Sequence, residues 1–185
     1  MTRTLVLGGA RSGKSAYAEA LAQQSGKEVV YVATAAAGDG EMAQRIALHR
    51  TQRPAHWTTV EEKLAMGEIL AAWRAPHRLV LVDCLTLWLS NLLFDGGIVY
   101  PDVGAIELPP RFHAERAALL TELAQPRGDV VFVSNEVGMG IVPYGAITRA
   151  YADEAGRLNQ AVAALCDRAV LVAAGLPLVL KGGPC

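Results

Sequence analysis

The chain has 185 residues, 52% of them apolar and 19% charged, with a formal net charge of −1. That is the size of one ordinary domain, large enough to bury a core unaided. Balanced charge argues against nucleic-acid binding, and three cysteines without a C-x-x-C spacing argue against a disulfide framework or a zinc site.

The opening residues "MTRTLVLGGARSGKS" hold no long apolar segment. No apolar run approaches the ~18 residues of a membrane span, so a soluble, cytoplasmic protein is expected. "TLVLGG" (Thr4 to Gly9) reads as a buried strand entering a glycine turn, with a helix following from Gly13 to Gln24 and ended by Gly26. "EVVYVAT" (Glu28 to Thr34) is a second strand, followed by the small-residue loop "AAAGDG". "EMAQRIALHRTQRP" (Glu41 to Pro54) is a short helix that must stop near Gln52, because Pro54 disfavours helix at Arg53.

"VEEKLAMGEILAAW" has helical spacing through Leu64, Ile69 or Leu70, and Trp73. "RLVLVD" (Arg78 to Asp83) is a strand, and "CLTLWLSNLLF" a helix. "GGIVYPDVGAIELPP" (Gly96 to Pro110), rich in Gly and Pro, is a surface loop or lid. "DVVFVSN" (Asp129 to Asn135) is another strand, and the stripe Ile147, Tyr151, Ala155, Leu158, Val162 and Leu165 marks a long helix packed on the core. "RAVLVAAGLPLVLKG" divides into two short strands around Gly175-Leu176-Pro177, a terminal hairpin.

Continuous Val/Leu runs suit strands buried on both faces. Their alternation with helices predicts a doubly wound α/β fold over residues 1–185, with no linker between two cores.

The chemistry concentrates at "GGARSGKS", a full G-x-x-x-x-G-K-[ST] match between a strand and a helix. Gly8, Gly9, Ala10, Arg11, Ser12 and Gly13 form a loop whose N–H groups can turn around phosphate oxygens, helped by the helix N-terminus. Lys14 is placed to bridge the β- and γ-phosphates and Ser15 to hold Mg²⁺. Asp83 closes a strand and is the matching acid for Mg²⁺, or else the N-cap of the helix after it. Glu136 is a second, weaker strand-end acid. Both stand where ligands bind open α/β sheets, at the carboxyl ends of strands.

On a wheel of about 100° per residue, Met42, Ile46 and His49 fall within about 60° of one another. His49 therefore continues an inward stripe in the last helical turn, with Arg45, Arg50 and Arg53 near it. Two readings stand: a histidine meeting the last carbonyls of its helix, or a nucleophile for phosphorus whose neighbouring arginines offset developing charge. His56, His77 and His113 fall at turns or element ends and read as surface residues.

Beyond these local patterns, "GGARSGKS", "YVAT", "EMAQRIALHRTQRPAHWTTVEE", "LVDCLTLWLSNLL", "SNEVGMGIVP" and "AGRLNQAVAALCDRAVLV" occur in order along nearly the whole chain. Together they resemble the bifunctional adenosylcobinamide kinase / adenosylcobinamide-phosphate guanylyltransferase family of cobalamin biosynthesis. The resemblance implies a three-layer, RecA-like P-loop NTPase domain, mostly parallel, and a homotrimer. It implies phosphoryl transfer from ATP or GTP to the aminopropanol hydroxyl of adenosylcobinamide, with Mg²⁺. It further implies transfer of GMP from GTP to adenosylcobinamide phosphate through a guanylylated histidine.

That histidine falls on His49, and the position before it, a second histidine in some members, is Leu48. Nucleotide contacts fall on Gly8 to Ser15, on Thr34, Ala35 and Ala36, on Arg50, Thr51, Gln52 and Arg53, on Glu61, and on Asp83. No role carries over to the Gly96 to Pro110 loop or to "KGGPC".

Two other functions are compatible with a phosphate loop. A simpler kinase of another small molecule explains Lys14 and Asp83 but gives His49 no task. A GTP-binding switch is disfavoured because no N-K-x-D motif is present. No D-x-H-x-x-G cobalt-binding motif occurs either, so the corrinoid is expected to be gripped by its ring surface.

Overall fold

The computed structural model describes residues 1–35 and 54–183. The expected helix from Glu41 to Gln52, with His49, lies outside the described residues, as does Cys185. The elements in chain order are β1 (Arg3–Gly8), α1 (Lys14–Gln24), β2 (Glu28–Ala33), β3 (Thr58–Glu61), α2 (Met66–Trp73), β4 (Arg78–Asp83), α3 (Leu85–Phe94), a 3₁₀ turn (Asp95–Gly97), α4 (Pro110–Ala124), β5 (Asp129–Asn135), α5 (Ala146–Leu165), β6 (Arg168–Ala173) and β7 (Leu176–Lys181).

Among the described residues the seven strands form one sheet in the order β3-β2-β4-β5-β1-β6-β7. All neighbours run parallel except β6 and β7, which form the expected antiparallel hairpin. The continuous apolar runs are explained by burial on both faces. Along β1, Leu5 points into one layer and Val6 into the other. Leu5, Val30, Val80, Val130 and Phe132 meet α2 to α5 through Leu70, Trp88, Phe112, Leu119 and Leu158. On the opposite face Val6, Tyr31, Leu81, Val133 and Val172 meet α1 through Ala18 and Ala22, together with Trp57.

One expectation is corrected. Val60 and Glu61 do not begin a helix: Thr58–Glu61 pairs in parallel with β2, and helix begins only at Met66. The β-branched "TTV" favours the sheet edge. The Glu62 carboxylate then accepts the N–H groups of Leu64 (2.7 Å) and Ala65 (2.9 Å), which turns the chain into α2. Burial works to raise the Glu62 carboxyl, but these N–H groups and the Arg111 charge outweigh it and hold it below its ordinary value.

The Gly96 to Pro110 segment is irregular after its 3₁₀ turn, as expected, up to Pro109, and Pro110 already opens α4. Cys84 and Cys166 are free and buried. Burial pushes the Cys166 thiol up to about 12. Among the described residues, no helix is long and apolar enough to cross a membrane.

Candidate nucleotide site

Register fixes what stands beside the phosphate loop. Gly8, the last residue of β1, is level with Asn135 on one side and Val172 on the other. Beyond Asn135, the N–H of Glu136 donates to the Gly8 carbonyl at 3.1 Å. Asp83 is level with Val133, and Val133 with Val6. Asp83 therefore lies two strands from β1, a lateral span of about 10 Å at ordinary strand spacing. The strand-end acids and the glycine loop share one edge of the sheet, the carboxyl end where α/β folds bind ligands.

The loop is closely backed. A Cβ on Gly8 would sit 2.6 Å from the Val172 carbonyl oxygen and would also meet Ser12 Oγ. Gly13 has φ of +94° and lies against Gly175, where a Cβ would come within 3.1 Å of its Cα. The Gly175 N–H donates to the Ser12 carbonyl at 2.8 Å, so the turn between β6 and β7 supports the loop from behind. Gly9 faces open space, and Ala10 and Arg11 are exposed.

Gly13 caps α1 with no side-chain hydrogen bond, and no acid stands in the first turn. The helix N–H groups and dipole are thus left for an anion. Lys14 is almost fully buried, and its Nζ donates to the Gly9 carbonyl at 3.1 Å. The ammonium is folded over the cradle it would share with a phosphate. Ser12 Oγ is buried with no hydrogen-bond partner, a further polar atom turned into the loop.

Asp83 is not a helix cap: Cys84 occupies that position, with no side-chain cap bond. Asp83 Oδ2 accepts the Tyr31 hydroxyl at 3.0 Å, which orients the carboxylate. The peptide between Asp83 and Cys84 is cis. Burial pushes the Cys84 thiol up, and the adjacent Asp83 charge adds to this. Ser15 and Asp83 together supply a hydroxyl and a carboxylate, hard oxygen donors of the kind Mg²⁺ takes.

Thr34, 0% exposed, is committed to structure. Its Oγ1 donates to the Cys84 carbonyl at 2.8 Å and accepts the Cys84 N–H at 2.7 Å. Its carbonyl accepts Asn91 Nδ2 at 2.8 Å. Ala35 follows it, half-buried. Glu61 ends β3, exposed and level with Ala33. Ala36, His49, Arg50, Thr51, Gln52 and Arg53 lie outside the described residues. His56, His77 and His113 are exposed, as expected.

A polar network beneath the site was not anticipated. Asn135 Nδ2 donates to Thr86 Oγ1 at 2.6 Å, and Asn159 Nδ2 to the Asn135 carbonyl at 3.2 Å. Ser134 Oγ bonds Asn159 Oδ1 at 2.7 Å. The Tyr151 hydroxyl donates to the Thr86 carbonyl at 2.9 Å, and burial pushes it up to about 12. The available signal was the polar pair closing an otherwise apolar strand, "VSN".

Residues 4–180 match the family model described as cobinamide kinase / cobinamide phosphate guanyltransferase. The chain is 52% identical to the bifunctional adenosylcobalamin biosynthesis protein CobP of Pseudomonas aeruginosa, over 98% of this chain and 99% of that one. It is 44% identical to the bifunctional adenosylcobalamin biosynthesis protein CobU of Escherichia coli, over 96% and 98%. Among solved structures, a prototypical ATPase from a bacterial type III secretion system superposes with a TM-score of 0.57 at 14% identity, covering 92% of this chain and 50% of that one. The chain thus spans about half of that ATPase, and the likeness is one of fold, that of a P-loop NTPase.

Proposed function

The chain belongs to the cobinamide kinase / cobinamide phosphate guanyltransferase family, and from that membership we propose how its two reactions divide among its residues. The observation that carries the reading is a match over residues 4–180 in a chain whose Gly8–Ser15 loop opens at the same sheet edge as Asp83, two strands away. The protein is an adenosylcobinamide kinase and adenosylcobinamide-phosphate guanylyltransferase of cobalamin biosynthesis.

In the kinase reaction the N–H groups of Gly9 to Gly13 and the start of α1 hold the triphosphate of ATP or GTP. Lys14 exchanges its bond to the Gly9 carbonyl for the β- and γ-phosphate oxygens. The acceptor hydroxyl oxygen forms a bond to the γ-phosphorus while the bond to the β,γ-bridging oxygen breaks; the nucleoside diphosphate leaves and the hydroxyl proton passes to solvent. Ser15 and Asp83, the latter oriented by Tyr31, would hold Mg²⁺. That ion offsets charge on the phosphate oxygens.

In the guanylyl reaction the neutral imidazole of His49 attacks the α-phosphorus of GTP and pyrophosphate leaves. Arg50 and Arg53 offset the charge at that phosphorus. The phosphate of adenosylcobinamide phosphate then attacks the same phosphorus, frees His49 and carries away GMP as adenosylcobinamide-GDP. Thr34, Ala35, Ala36, Thr51, Gln52 and Glu61 belong to the nucleotide contacts of this pose. We place the enzyme in the cytoplasm, as one P-loop domain that assembles as a homotrimer.

The test is intact mass after incubation with GTP and Mg²⁺. The expected result is a covalent gain of one GMP, labile in acid, stable in base and absent in His49→Ala. A wild-type protein that turns over GTP yet stays unmodified rules out the histidine intermediate.

A further inference from the structure

An acceptor for the γ-phosphate must hold its hydroxyl over the phosphate loop while the nucleotide occupies the loop itself. One described segment there is built for an apolar partner. Directly after Glu136 the chain runs "VGMGIVPYG", in which Val137, Met139, Ile141, Val142 and Tyr144 are all exposed. Ile141 is 98% exposed and Tyr144 87%. Single exposed apolar side chains are ordinary, but five within eight residues make a contiguous patch of the kind that marks a binding surface.

Both roots of the segment are tied down. At its start the Glu136 N–H bonds the Gly8 carbonyl, which joins the segment to the strand that carries the phosphate loop. The Glu136 carboxylate folds back to accept the Gly138 N–H at 2.6 Å. At its end Arg149 Nη1 donates to the carbonyls of Pro143, at 3.3 Å, and Tyr144. Arg149 also lines a cleft of about 330 Å³ between α5 and the 104–108 stretch, with Asp153 and Arg157. An apolar platform at the loop therefore continues into a cleft carrying charges of both signs.

We infer that Val137–Tyr144 is the platform on which the acceptor's ring rests. Its occupant is a wide amphiphile, a corrinoid, with apolar ring edges on Met139, Ile141, Val142 and Tyr144 and amide arms toward Arg149, Asp153 and Arg157. The inference rests on the kinase reading above and adds to it the surface that recognises the acceptor. The platform starts two residues after Asn135, the strand end level with Gly8, so a ring lying on it keeps its hydroxyl arm beside the transferred phosphate.

The test uses the full chain with Met139→Gln and Ile141→Ser combined, both at exposed positions that folding does not depend on. Initial rates of phosphorylation are measured against cobinamide and against nucleotide, with equilibrium dialysis of the coloured corrinoid and molar mass by light scattering. The expected result is a rise of about tenfold or more in the cobinamide KM and dialysis Kd, the loss two solvated apolar contacts predict. The nucleotide KM and the molar mass stay at their wild-type values. A cobinamide KM within twofold of wild type overturns the inference, as does a fall in molar mass that accounts for lost activity, since the segment would then hold a second copy of the chain. Wild-type protein that neither binds nor phosphorylates cobinamide would instead remove the kinase reading itself.

Discussion

The backbone N–H of Gly175 donates to the carbonyl oxygen of Ser12 at 2.8 Å, joining the last hairpin to the phosphate loop across more than 160 residues of chain. The same turn crowds Gly13, and Val172 leaves no room beside Gly8. The loop is held in shape from behind, and its open side is left for phosphate.

Gly8→Ala should therefore damage binding before it damages the fold. Its Cβ would press on the Val172 carbonyl and Ser12 Oγ, and such overpacking costs about 1–3 kcal/mol. If that strain is relieved by moving the loop, nucleotide affinity falls about tenfold or more. Calorimetric titration with a nonhydrolysable nucleotide, beside a denaturant melt, measures both parts. Unchanged affinity would show that the loop is not the phosphate cradle.

Tyr31 and Asp83 make a graded pair. Asp83→Asn keeps the shape but loses the charge, and Mg²⁺-dependent turnover should fall by about 100-fold or more, the scale of losing a charged group from a phosphoryl-transfer site. Tyr31→Phe removes the 3.0 Å bond that orients the carboxylate. Its expected effect is an increase of about three- to tenfold in the Mg²⁺ concentration for half activity, at nearly unchanged maximal rate. Mg²⁺ titrations of both variants check this. A Tyr31→Phe protein with a wild-type Mg²⁺ profile would dismiss the orienting role.

Arg74 is a structural counterpart. It is buried, and its guanidinium donates to the carbonyls of Glu122, Gln125 and Arg127 at 2.5, 3.2 and 2.7 Å, closing the C-terminal end of α4. Burial lowers its pKa. Arg74→Met fills the space but takes the side-chain donor away from those carbonyls, leaving Glu122 and Gln125 only their backbone partners, and should cost about 2–4 kcal/mol of stability. Nucleotide affinity should be unaffected at the lower temperatures where the protein stays folded. Chemical denaturation gives the first quantity and titration the second.

Acid should destabilise the fold through three carboxylates. Burial works to raise Asp129, but the Lys27 ammonium at 2.8 Å and the Thr2 N–H outweigh it and hold its pKa low. Asp167 is held low by its hydrogen bonds from Arg3, and Glu62 by the N–H groups that open α2. A carboxyl with a depressed folded pKa stabilises fully above its unfolded value, about 4, and that contribution is lost as pH falls through the folded value. The melting temperature should thus vary little on account of these groups between pH 7 and 5, then drop below about pH 4. Asp129→Asn should lower it at pH 7 and flatten the acid drop.

The sequence carried the phosphate loop in full because its chemistry is contiguous: one strand, eight residues and one helix. Asp83 was legible as a strand end, although its orientation by Tyr31, a register position on the next strand, was not. Thr34 shows the limit in the other direction. Its place in a motif was visible, but its hydroxyl bonds Cys84, fifty residues away, and only the fold brings them together. The edge strand Thr58–Glu61 was hidden because four residues are too few to display a period beside a longer helical pattern. Gly175 read as a turn residue, with nothing in its neighbourhood to tie it to Ser12.

The placement of β1 between β5 and β6 also sets an order of assembly. A chain synthesised only as far as Asn135 already contains Lys14, Ser15 and Asp83, yet lacks Val172 and Gly175, which back the cradle. Nucleotide can offer little protection to such a nascent chain. Its stabilising effect arrives only when the final hairpin has been made and laid beside the first strand, so ligand binding certifies a chain translated through both.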